Sequence, residues 1–195
     1  SSSGISNQVL VNISPILNCY CTPGFVNCSS SISFTNVTLF NSTINNSSAC
    51  STGGYGDFIS FGNANVYRNQ NIYIQHTINY PSSSSPYTVG VWADVNHNGL
   101  FEENEFALNG PFTTLTATSQ LLIPANALLG ETRLRLKVRS FGNVVFSESC
   151  ITGAQSGETE DYKITIGDAA NCSGVISAGI ISAPAQICPN TVFTI

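Results

Sequence analysis

Charge is scarce in this sequence, and several function classes fall with it. Of 195 residues only 9% are charged, six Lys and Arg against eleven Asp and Glu, for a formal net charge of −5. A chain so acidic and so thinly charged has no basic face with which to neutralise phosphates, so neither nucleic acid nor an anionic membrane is expected as a partner. Long hydrophobic runs are missing too. No stretch approaches the ~20 apolar residues of a membrane-spanning helix, and no signal peptide is present, so membrane insertion is not expected and export has to be inferred by other means. Methionine does not occur, and the chain opens on SSSGIS, which reads as a fragment or a processed product.

Catalytic and zinc-binding residues are equally thin. The two histidines are His76 and His97, and no Cys-x-x-Cys pair occurs among the seven cysteines. Zinc requires thiolates and imidazoles at short spacing, so the cysteines are read as extracellular disulfides, with at least one left over from an odd count. His76 falls on the apolar face of a strand and His97 at a non-ligand position of a loop, so neither has an evident nucleophile to activate. Glu102/Glu103 and Glu158/Glu160 are paired carboxylates without any sign of the separation that glycoside hydrolysis needs. The chain is expected not to be an enzyme.

What is present is alternation. In NIYIQHTINY, Ile72, Ile74, Ile78 and Tyr80 share one face while Asn71, Gln75, Thr77 and Asn79 share the other, the period of a half-buried strand. ISFTNVTLF, FTTLTATSQLLI, TRLRLKVRS and EDYKITIG read the same way, with Leu134, Leu136 and Val138 pointing to one side. PSSSSP and PANALLGE break the pattern as loops. Many short strands divided by turn signals predict an all-β protein, an antiparallel β-sandwich of jelly-roll-like type. After Gly167 the texture becomes small and apolar. The expected organisation is therefore a linker or remnant over 1–19, a sandwich over 20–167, and over 168–195 a linker plus the first strand of a following immunoglobulin-like or PKD-like domain.

One loop carries chemistry. DVNHNGLFEENE follows the strand YTVGVWA and places Asp94, Asn96 and Asn98 at its first, third and fifth positions, Gly99 at the sixth and Glu105 at the twelfth. Alternate side-chain oxygens, the Leu100 carbonyl and a closing Glu105 are the donor set of a calcium loop, since a hard cation needs several oxygens from a short segment. An Asx-rich hairpin turn accounts for the same residues without a metal. Glu158, Glu160 and Asp161 form a second acidic cluster that completes the calcium shell, braces its ligands, or is a solvated strand start.

The ordered set YCTPG, GYGDF, VGVWADVNHNGLFEENE, IPANALLGETRLRLKVR and CITGAQSGETEDYKITI resembles the GEVED domain family, whose name-giving GEVEDY appears here as GETEDY, Gly157 to Tyr162. The resemblance covers roughly residues 20–167. It implies a β-sandwich module of a secreted or cell-surface protein of Bacteroidetes-type bacteria, exported by the type 9 route and joined to adhesins or hydrolases. The function expected is a non-catalytic, calcium-stabilised module serving adhesion or spacing, with neighbouring domains, surface glycans or other cell-surface proteins as partners. The alternative is a carbohydrate-binding accessory domain of a secreted hydrolase or protease, for which Trp92, the single tryptophan, is the candidate sugar platform or else a core residue. Arg133, Arg135, Lys137 and Arg139 alternate along one strand and read as a solvated basic face. Four cysteines permit three connectivities; the pairing chosen is Cys21–Cys150, closing the unit end to end, with Cys28–Cys50 tying the first strand to the loop before GYGDF.

Overall fold

A computed structural model describes residues 20–23, 28, 32–79, 86–151 and 157–169. Ten strands account for most of them: β1 Ser33–Leu39, β2 Asn45–Asn46, β3 Tyr55–Asp57, β4 Ala64–Tyr67, β5 Asn71–Asn79, β6 Tyr87–Ala93, β7 Phe106–Phe112, β8 Thr116–Leu122, β9 Gly130–Ser140 and β10 Glu158–Gly167. The only helical pieces among the described residues are 3-10 turns at Thr52–Gly54, Glu103–Glu105 and Phe146–Cys150. Tyr80, all of the expected first linker and nearly all of the expected following domain lie outside the described residues.

The strands form two sheets, one ordered β2-β1-β5-β8, the other β3-β10-β9-β6-β7 with β4 also on β10. Between them lies one apolar core that draws Phe34, Val37 and Leu39 from β1, Ile72, Ile74 and Ile78 from β5, Val89 and Val91 from β6, and Leu134, Leu136 and Val138 from β9. Period-2 alternation explains why, with one break in β1, where the register shifts between Phe34 and Asn36. His76 takes its turn there as well, fully buried among Phe34, Tyr87 and Phe112, with Nε2 on the Ser119 hydroxyl at 3.0 Å. At one edge the sheets are joined by Asn109, whose side chain bonds both the N–H and the carbonyl of Gln120.

The antiparallel expectation needs correction. β3 and β4 both lie parallel to β10, in succession along it, so the larger sheet is mixed. Parallel neighbours demand a long crossover, and β10 reaches β3 only after the chain has traversed both sheets. The cysteines join as Cys21–Cys150 and Cys28–Cys50, across sequence separations of 129 and 22.

A second buried layer covers the outer face of the larger sheet. Trp92, Arg135 and Asp161 pair directly across β6, β9 and β10 and so share that face. The Tyr20–Cys21 segment and the Phe146–Cys150 turn lie over it, held together by the Cys21–Cys150 bridge, and Phe101 and Val144 complete the packing. Arg133, Arg135 and Lys137 are consequently buried, not solvated as expected. Arg135 donates Nε to Asp161 Oδ1 at 2.6 Å and Nη2 to Oδ2 at 2.7 Å, and Arg133 adds a bond to Oδ2 at 2.8 Å. Charges removed from water survive only when paired in this way.

Candidate functional site

The loop Asp94–Glu105 leaves β6 and returns as β7. Asp94 is fully buried at the strand end, two residues past Trp92 and on its face. Its Oδ1 accepts the N–H of Asn98 at 3.1 Å, and its Oδ2 accepts the N–H of Gly99 at 2.8 Å and the hydroxyl of Tyr20 at 2.6 Å. The sharp reversal relies on two left-handed residues, His97 at φ 56° and Gly99 at φ 81°. Glycine reaches that region without the Cβ clash other residues meet, which accounts for the glycine at the sixth position.

Asn96 Oδ1 accepts from Asn98 N–H and Asn98 Oδ1 from Leu100 N–H, two successive Asx turns that leave each amide oxygen a second lone pair. Both amides donate to Glu102 Oε2, at 2.6 and 3.2 Å. Glu105 is buried and accepts the N–H groups of Val95 and Asn96 on Oε1 and of Glu102 on Oε2. Burial raises its carboxyl above the usual range, opposed by these main-chain donors and reinforced by the nearby Asp94. The loop thus gathers Asp94, Asn96, Asn98 and Glu105 with an oxygen-only donor set. Glu102, at the ninth position, joins them and was not among the expected ligands; the ninth position of a calcium loop is where the sequence could have flagged it. Among the described residues no group of three or more His, Cys, Asp or Glu side chains is placed to hold a metal ion. A cation here would therefore rest on amide and main-chain oxygens beside the carboxylates.

The second acidic cluster does not join the loop. Glu158 and Glu160 pair with Val138 and Leu136 and so face the inner core, on the side of the sheet opposite Trp92. Glu158 accepts the N–H groups of Phe34 and Ser51, at 2.9 and 2.7 Å. Glu160 accepts the hydroxyls of Ser48 and Tyr162, at 2.8 and 2.6 Å, and burial, with the Glu158 charge nearby, pushes its carboxyl up to about 7. Asp161 belongs to Arg133, Arg135 and the Tyr55 hydroxyl. A Cβ on Gly157 would collide with the Val138 carbonyl, and Tyr162 is a core side chain. GETEDY is spent on internal bonds between sheets and onto buried arginines, so Glu158, Glu160 and Asp161 are removed from the ligand set.

Trp92 is likewise removed as a sugar platform. It is 0% exposed, packs at a tilt against Phe106 and donates Nε1–H to the Phe146 carbonyl at 3.2 Å. The family profile of the GEVED domain matches residues 88–165, which takes in the loop, β7 to β9 and the GETEDY strand. No curated protein matches the sequence.

Proposed function

From the premise that this chain carries a GEVED domain, we propose that it is a non-catalytic, calcium-stabilised module of a bacterial cell-surface protein, serving adhesion or spacing. The observation that carries the reading is the Asp94–Glu105 loop, in which side-chain oxygens from the first, third and fifth positions are drawn to one turn by main-chain N–H groups. Asp94, Asn96, Asn98, the Leu100 carbonyl and Glu105 hold the ion, with Glu102 beside them. The ion supplies a fixed positive centre among loop oxygens, and the loop in turn fixes the end of β6. Two disulfides fit an oxidising, extracellular setting. Export by the type 9 route to the bacterial outer surface belongs to the same proposal.

Rigidity is the property such a module contributes. Its acidic signature motif is buried, Arg133 and Arg135 are buried on a shared Asp161, and its ends are stapled by a long disulfide. Isothermal titration of EDTA-stripped protein tests the cation reading. One calcium per chain is expected, with a dissociation constant on the order of 10⁻⁴–10⁻³ M, the range of extracellular calcium modules with few charged ligands. Asp94→Ala should abolish the heat. Equal heats from the unmutated protein and the variant would refute the assignment.

A further inference from the structure

Outside the loop, two turns border a shallow, open cleft of about 90 Å³, across which a ligand would lie rather than be enclosed. Phe40, Tyr67 and Tyr73 stand on its walls, 49%, 38% and 47% exposed. Phe61, Phe141 and Phe146 are exposed elsewhere on the surface, but Phe40, Tyr67 and Tyr73 are grouped around one cleft. Val66 and Ile72 form a buried apolar floor.

The turns are held open by the backbone. Phe40 N–H donates to the Tyr73 carbonyl and Gln70 N–H to the Tyr67 carbonyl, while Asn41 and Asn69 take left-handed φ values of 58° and 60°. The side-chain amides of Asn41, Gln70 and Asn71 line the cleft, are exposed, and make no hydrogen bond to any described residue. None of the three aromatic rings stacks on another ring among the described residues. Arg68, which lies between these segments in sequence, turns away to the Ala127 carbonyl and Asp168. Among the described residues no carboxylate, ammonium or guanidinium lines the cleft.

We propose that this cleft binds a neutral oligosaccharide. A sugar ring offers apolar C–H faces, which fit against the electron-rich face of an aromatic ring, and hydroxyls around its rim that donate and accept at once. Carboxamides also donate and accept, so free Asn and Gln side chains match hydroxyls where ionic groups would favour an acid or an amine. An ionised ligand would be desolvated here without a counter-charge, and a nucleic acid strand would find stacking faces but no basic groove. The proposal deepens the adhesive part of the reading above and uses no residue of the calcium loop.

The test uses the whole chain and three neutral hexasaccharide probes, a β-1,4-glucan, a β-1,4-xylan and an α-1,6-mannan, with oligogalacturonate as the acidic control and a proline-rich peptide as the alternative occupant of an aromatic cleft. Binding of at least one neutral probe is expected, with perturbation of the Asn41, Gln70 and Asn71 amide resonances. Tyr73→Ala and Phe40→Ala should each weaken it at least about tenfold, as loss of a central aromatic anchor does, with the melting temperature nearly unchanged because both rings are exposed. Phe141→Ala, which removes an exposed aromatic elsewhere, should bind normally. Asp94→Ala should keep the sugar and lose calcium, so failure of one reading is distinguishable from failure of the other. Binding of no neutral probe, undiminished binding in Tyr73→Ala, or capture of only the acidic sugar or the peptide would overturn the proposal.

Discussion

The Tyr20 hydroxyl donates to Asp94 Oδ2 at 2.6 Å and lies 3.2 Å from Thr132 Oγ1, so the segment that enters the domain is bonded to the first residue of the loop, 74 positions away. Tyr20 is next to Cys21, and Arg133 lies over its ring. Burial, helped by the Asp94 carboxylate, pushes the phenol well above its ordinary range, so it stays a donor at every physiological pH. Tyr20→Phe keeps the packing and removes the bond. It should lower the unfolding free energy by about 1–3 kcal/mol, the cost of leaving a buried carboxylate short of one donor, measured by urea denaturation.

The paired charges beneath Tyr20 make a larger prediction. Arg135→Ala leaves Asp161 with one arginine and a cavity, and Asp161→Ala leaves two buried guanidiniums without their carboxylate. Each should cost about 3–5 kcal/mol, because breaking a buried pair strands an uncompensated charge. Arg135→Ala combined with Asp161→Ala should cost clearly less than the sum of the single changes in a double-mutant cycle. Additive losses would mean that the pair is not coupled.

Much of this architecture was legible in the sequence and some was not, for physical reasons. Ile72, Ile74 and Ile78, like Leu134, Leu136 and Val138, announce an inner face by alternation, and their strands lie where expected. The partner face of β9 misleads: Arg133, Arg135 and Lys137 look solvated, and nothing local shows that residues 20–21 and 146–150 return to cover them. Trp92 is buried by the same cover. β3 and β4 are too short to signal themselves, so their parallel pairing with β10 leaves no pattern. The cleft of Phe40, Tyr67 and Tyr73 is assembled from separate turns, and its aromatics look like core residues until the fold shows them outside.

Two buried groups pull the pH dependence in opposite directions. His76 is pushed from 6.5 down to about 4 by burial, so the unfolded chain takes up a proton that the native state refuses, and stability falls as pH drops from about 6.5 to about 4. Glu160, raised from 4.5 to about 7, retains a proton that the unfolded chain releases, and its contribution is lost as pH rises from about 4.5 to about 7. Each effect is on the order of 3 kcal/mol over its window. Glu160→Gln should therefore steepen the loss of stability on acidification relative to the unmutated protein, and His76→Gln should make the protein more stable at pH 4.5 than at pH 7. Unchanged profiles in urea titrations would contradict both assignments.

The disulfides differ in the loops they close. In the chain-entropy account, the Cys21–Cys150 bridge, with a separation of 129, should contribute about 5 kcal/mol and the Cys28–Cys50 bridge, with a separation of 22, about 3 kcal/mol. Replacing each pair by serine and comparing urea midpoints checks the order. Loss of the longer bridge also frees the Tyr20 segment from the outer face, so the Cys21→Ser/Cys150→Ser protein should bind calcium more weakly, whereas the Cys28→Ser/Cys50→Ser protein should bind it as before.

The central claim is that the Asp94–Glu105 loop holds a cation that the folded chain alone can bind, and thermal melting tests it most directly. At about 10 mM calcium, a site with a dissociation constant of about 10⁻⁴–10⁻³ M stabilises the native state by about 1.4–2.7 kcal/mol, a rise of roughly 3–10 °C in melting temperature over the EDTA-treated protein for a chain of this size. Asp94→Ala should lose that rise while Tyr73→Ala keeps it. Superimposable melting curves in calcium and in EDTA for the unmutated protein would contradict the account and leave the loop as an Asx-rich turn.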